Sequence, residues 1–123
     1  MTTLVVAVLV LAGGAVGAVT RYVLDGYVKS VAGKSLPWGT FSVNMLGTAV
    51  LGGFHGAASG TYVEALMGTG LAGALTTFST FELDTVHLFQ DGKYGRAAVN
   101  VLGTLLLGFG VFIAFHAFLR ELT

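Results

Sequence analysis

A chain of 123 residues that is 54% hydrophobic and only 10% charged, with mean hydropathy +0.84, has too little polar surface to cover a soluble globule and belongs in a bilayer. Its six basic and six acidic side chains cancel, which argues against nucleic acid as a partner. The absence of cysteine excludes disulfides, thiolate metal sites and a cysteine nucleophile together.

Nineteen glycines against a single proline fit membrane helices that pack backbone to backbone, because lipid supplies no hydrophobic drive for helix association. A bilayer core about 30 Å thick takes roughly 20 apolar residues per helix, so the pattern predicts an all-α membrane protein with four transmembrane helices. All four fall in one domain spanning 1–123. The first helix is expected over about 4–24 and is read as retained, since Met1-Thr2-Thr3 gives no positive n-region. Gly13 and Gly17 form a GxxxG contact face in it, and Arg21 near its end is either a headgroup anchor or a cation lining an anion vestibule. From Asp25 through Gly26, Lys29, Gly33 and Lys34 to Pro37 the residues read as a loop, with Trp38 at the membrane interface.

The second helix is expected over about 38–58. Thr40, Asn44 and Thr48 recur every fourth residue and so share one face, a polar stripe that either bonds another helix or lines a pore. Gly52, Gly56 and Gly60 repeat at the same interval on another side and predict a contact face. The third helix, about 65–89, contains the most informative stretch of the chain, Gly73-Ala74-Leu75-Thr76-Thr77-Phe78-Ser79-Thr80-Phe81. Its hydroxyl density at membrane depth predicts a break near 73–77, with two half-helices presenting free carbonyls to a cation and free N–H groups to an anion. Phe78 and Phe81, three residues apart, can turn positive ring edges toward an anion. The fourth helix, about 96–118, repeats the polar stripe with Asn100 and Thr104.

Catalysis is not expected. His55, His87 and His116 are scattered, and Asp84 with His87 at i+3 is a spacing that chance produces often. Lys29, Lys34, Lys93 and Arg96 fall on the side of the first and third loops against Arg120 on the other, which predicts those loops in the cytoplasm and both termini outside.

These residues resemble the Fluc (CrcB) family of four-helix fluoride channels, and the resemblance covers nearly the whole chain. It is carried by Gly13-Gly14 with Gly17 and Arg21-Tyr22, by Pro37-Trp38-Gly39-Thr40 with Asn44 and Gly47, and most specifically by Gly73 with Thr76-Thr77-Phe78-Ser79-Thr80-Phe81. The resemblance implies an antiparallel dual-topology dimer, formed with itself or with a paired homologous chain, enclosing two fluoride pores in the inner (plasma) membrane and exporting fluoride passively. It further implies Phe78 and Phe81 as a pore box, Asn44 as a pore-lining donor, and Ser79 and Thr80 as hydroxyl contacts. A structural, non-transported Na+ on the backbone carbonyls of Gly73 and Thr76 is also implied. Asn100 and Thr104 stand where many members carry Tyr and Ser, so the track is kept in kind and altered in detail. The alternative class is a small dual-topology, proton-coupled multidrug or cation transporter, which requires an ionisable carboxylate at mid-membrane; Glu82 and Asp84 are poorly placed for that role.

Overall fold

The computed structural model describes residues 2–123, which are helical except for three short connections, the third-span break and the last residue. Helix α1 spans Thr2–Ala32 and α2 spans Trp38–Gly56. The third span begins with the single turn α3 (Thr61–Val63), widens into a π-helical segment (Glu64–Ala72) and ends in the turn α4 (Gly73–Leu75). After an interruption the chain continues as α5 (Ser79–Gln90) and finishes in α6 (Tyr94–Leu122). By length and composition alone, α1 and α6 are each apolar enough to cross a membrane.

The loop expected from Asp25 onward is instead the last two turns of α1. Asp25 and Lys29 stand four residues apart and close an ion pair of 2.9 Å along that surface, which favours continuing the helix. The helix stops only at Gly33, whose φ of +82° belongs to the left-handed region that glycine enters without a steric penalty.

The interior is built by close approach of backbones rather than by large side chains. Gly13 and Gly17 of α1 lie so tightly on the π-helical segment that a Cβ at either position would collide with the carbonyl of Leu66 or Leu71. Gly70 answers from the other side, where an added Cβ would lie 2.8 Å from the Val10 carbonyl and 3.1 Å from the Gly13 Cα. Between α2 and α6, Gly52 and Gly56 leave the same kind of space for the backbones of Phe112 and His116. Gly60 departs from the expected face and forms a turn at φ +92°. Val43, Ala72 and Leu75 fill the small remaining core, whereas Leu11, Val19, Leu106 and Ile113 are exposed along the outer flanks. Such flanks are stable against lipid and not against water.

If the glycine contacts set the packing, Gly13→Val should lower stability by about 1–3 kcal/mol, because a rigid backbone carbonyl cannot yield to the new side chain. Gly103→Ala, where nothing lies within 4 Å, should leave the thermal midpoint in detergent unchanged or slightly raised. Equal midpoints for the two variants would show that the close approach is not what holds α1 in place.

Candidate functional site

The third span breaks at Thr76–Phe78, the C-terminal edge of the stretch expected from sequence. Thr76 adopts an extended backbone (φ −82°, ψ 158°), and Phe78 returns to helical angles (φ −87°, ψ −40°) to start α5. The last helical bond runs from the Thr76 N–H to the Ala72 carbonyl at 3.1 Å, and the Thr76 hydroxyl donates to the same oxygen at 3.0 Å. One residue further on, the backbone leaves the helix and finds a side-chain partner.

That partner is Asn44. Its Oδ1 accepts the Thr77 N–H at 2.7 Å, and its Nδ2 donates to the Thr77 carbonyl at 3.1 Å, so one amide satisfies both backbone groups of Thr77. Gly47, one turn along α2, gives Thr76 room: a Cβ there would strike the Thr76 methyl. On the far side of the break the Thr77 hydroxyl accepts the Thr80 N–H at 3.3 Å and donates to the Thr80 hydroxyl at 3.2 Å, with Ser79 Oγ 3.5 Å away. A hydroxyl just before the first turn of a helix satisfies an orphan donor there, so Thr77 caps α5 while Asn44 holds Thr77.

A groove of about 800 Å³ runs beside this break. Asn44, Gly73, Thr76, Phe78, Phe81 and Thr104 line it, joined by Thr48 of the α2 stripe. Phe78 and Phe81 stand with ring centroids 5.9 Å apart at 41°, but their burial differs sharply: Phe81 is 8% exposed and Phe78 is 69% exposed. Thr104 Oγ1 is buried and has no hydrogen-bond partner among the described residues. Glycine and threonine residues of the third span also expose backbone carbonyls. No hydrogen bond reaches the carbonyl of Gly73 or Thr76 among the described residues, because the Thr77 N–H that a continuous helix would give Gly73 is taken by Asn44. Oxygen donors of this kind fit a hard monovalent or divalent cation.

The remaining sequence candidates lie elsewhere. Thr40 is 2% exposed and donates to Asp84 Oδ2 at 2.7 Å, tying the start of α2 to α5. Asn100 is 7% exposed and donates to the Thr85 hydroxyl at 2.8 Å, and that hydroxyl donates in turn to the Phe81 carbonyl at 2.8 Å. Neither residue lines the groove. Ser79 is exposed and Thr80 part-buried at the start of α5, and Arg21 is part-buried on α1 without an ion pair among the described residues. Thr85 and Asp84, the acceptors of these bonds, do not stand out as partners in the sequence. The i+4 relation of Thr85 to Phe81 is the one signal available, since a threonine within a helix commonly bonds back to that carbonyl.

Comparison with known proteins is consistent along the chain. Residues 8–116 match the family model described as CrcB-like protein, Camphor Resistance (CrcB). A "Fluoride-specific ion channel FluC 1" of Nocardia farcinica is 45% identical over 106 residues, covering 86% of this chain and 75% of the relative. A protein of the same description from Streptomyces avermitilis is 44% identical over 110 residues, covering 86% of this chain and 89% of the relative. A "Fluoride-specific ion channel FluC" of Dehalococcoides mccartyi is 42% identical over 105 residues, covering 81% of each.

Removing the amide in Asn44→Ala leaves the Thr77 N–H and carbonyl without partners, at a cost of about 1–3 kcal/mol. Hydrogen exchange should therefore accelerate at Thr77 and Thr80 while α6 keeps its protection. Asn44→Asp retains an acceptor for the Thr77 N–H and should fall between the two. Unchanged exchange in Asn44→Ala would mean that the break is held by something other than this amide.

Proposed function

The chain belongs to the CrcB-like family, and from that membership we propose that it forms a fluoride-selective channel that lets fluoride leave the cell down its gradient. The protein is a channel and not an enzyme. One observation carries the reading. At the interruption of the third span, hydroxyls, two phenyl rings and unpaired carbonyls gather beside a groove, and among the described residues no lysine or arginine lines it. Irregular backbone at that depth is tolerated where it faces protein or a water-filled path.

The mechanism follows from the kind of donors available. Fluoride is small and strongly hydrated, so it enters only where close, fixed donors replace its water. The Thr104 hydroxyl has no partner among the described residues and can turn toward an ion. Asn44 uses one N–H on the Thr77 carbonyl, which leaves its second N–H for a passing anion. Phe78 and Phe81 supply ring edges, whose positive rim attracts an anion weakly and without a counter-charge. Ser79 and Thr80 extend the hydroxyl track past the break, and Arg21 supplies a cation at its vestibule. Thr40 and Asn100, already engaged with Asp84 and Thr85, serve the track indirectly by fixing α5.

A single chain leaves Phe78 uncovered, and we assign the covering surface to an antiparallel partner of dual topology, either a second copy or a paired homologous chain, within the plasma membrane and its lipid. The free carbonyls of Gly73 and Thr76 would hold a structural Na+ there. Such an ion supplies fixed positive charge at the half-helix end and is not itself carried across. The proton-coupled transporter reading has less to stand on, since Asp84 already accepts the Thr40 hydroxyl and Glu82 is exposed.

Liposomes containing the purified chain should release fluoride and retain chloride. Phe81→Ile and Phe78→Ile should each slow fluoride release, because an aliphatic chain has no positive edge. An undiminished rate in both would remove the rings from the mechanism. Replacing sodium by N-methylglucamine during purification should lower the thermal midpoint if the carbonyls hold Na+.

A further inference from the structure

A second groove, of about 370 Å³, lies between the α1–α2 connection and the turn that joins α5 to α6. Its charged side chains divide into those already engaged and those left free. Lys29 is held by Asp25 at 2.9 Å, and Asp84 accepts the Thr40 hydroxyl at 2.7 Å. Lys34, Lys93 and Asp91 also line the groove, and their side chains make no ion pair or hydrogen bond among the described residues. The free groups therefore comprise two ammonium ions and one carboxylate, with the His87 imidazole beside them. A simple anion would meet both lysines but would also face Asp91, whereas a ligand carrying a phosphate and a cation together complements all three groups.

Local structure fixes where these groups stand. Gly92, at φ +76°, makes a tight turn closed by the Lys93 N–H on the Leu88 carbonyl at 2.9 Å, which presents Asp91 and Lys93 on one short segment. Lys34 comes from the opposite wall, directly after Gly33. Trp38 completes the groove and is held edge-on to Phe41 at 5.9 Å and 89°. A half-exposed indole beside lysines marks the headgroup level of a bilayer.

We propose that this groove binds a zwitterionic phosphoethanolamine lipid headgroup, with the phosphate between Lys34 and Lys93 and the ammonium on Asp91. The inference rests on the chain lying in a membrane, but not on what it conducts. A primary ammonium donates hydrogen bonds to a carboxylate, whereas the quaternary ammonium of choline has no N–H to give. A phosphatidylglycerol headgroup brings the phosphate but no cation for Asp91.

The test uses the purified full chain in detergent, titrated with phosphatidylethanolamine, its mono- and dimethylated forms, phosphatidylcholine and phosphatidylglycerol. Thermal midpoint and lipid retained in native mass spectra are the readouts. On the unmodified chain, retention should fall stepwise as methyl groups replace N–H donors, and phosphatidylglycerol should be retained less than phosphatidylethanolamine. Lys34→Gln with Lys93→Gln should weaken retention on the order of tenfold, a loss of about 1.4 kcal/mol. Asp91→Asn should erase the preference for ethanolamine over glycerol. Equal retention of all five lipids by the unmodified chain would overturn the proposal. So would inorganic phosphate or soluble phosphoethanolamine reproducing the full shift in midpoint, since that would make the groove a free-phosphate site. Fluoride release, measured separately, keeps a failure here distinct from a failure of the channel reading.

Discussion

The two hydrogen bonds between Asn44 and Thr77 are the constraint on which the rest of the architecture depends. A backbone that leaves its helix inside a bilayer exposes an N–H and a carbonyl to a medium that cannot solvate them. Among uncharged side chains, an amide such as asparagine's offers an acceptor and a donor side by side, and so can pair with both groups of one peptide. With Thr77 held in this way, Gly73 loses its helical donor, Thr77 becomes a cap for α5, and Phe78 and Phe81 are aimed from a fixed start. Asn44 is thus first a substitute for missing backbone and only then a candidate ion ligand. The two roles are compatible because its amide nitrogen carries a second N–H.

Small residues make that arrangement possible. An amide side chain is short, so α2 must come very near the break, and Gly47 permits this by leaving space for Thr76. From the opposite side α1 presses Gly13 and Gly17 against the π-helical segment that leads into it. The π winding lengthens each hydrogen-bonded ring by one residue, and at its end the Gly73 N–H reaches back to the Gly68 carbonyl. Such segments often accompany functional sites because they rotate the residues C-terminal to them out of the regular helical register. In this chain those residues form the break itself.

Much of this is legible in the residues. The helices, an interruption in the third span and the close contacts of Gly13, Gly17, Gly52 and Gly56 follow from hydropathy, spacing and the clash between hydroxyl density and membrane depth. The choice of partner is not legible in the same way. The stripe Thr40, Asn44, Thr48 shares one face, yet only Asn44 and Thr48 reach the groove, while Thr40 is turned to Asp84. Period-four spacing gives a common face but not what stands opposite each turn, and α5 covers one end of that face whereas the groove opens at the other. Asn100 is the same case, since Thr85 lies across from it. The end of α1 differs from its sequence expectation for another reason. Gly26 and the charges after it resemble a loop in composition, but the Asp25–Lys29 pair sits at helical spacing and Gly26 has open space around it.

The commitments of the charged and polar groups show how a groove lined by neutral donors can exist in so small a chain. Asp84 is engaged by Thr40 and Asp25 by Lys29, and the free lysines lie at the groove beside the connecting turns. The groove beside the break is therefore lined without a lysine, arginine, aspartate or glutamate. A full positive charge at that depth would bind a dehydrated anion too tightly to release it, and a full negative charge would exclude it. Hydroxyls, one amide N–H and ring edges, the groups proposed to meet an anion, lie between those limits and are each weak alone, so on that proposal they must be held in place. Rigidity must then come from elsewhere, and the structure obtains it from glycine contacts and from the Asn44 pairing. Phe78, at 69% exposed, is the part of this groove that the chain's own helices leave open, and it is where the proposed partner would complete the wall.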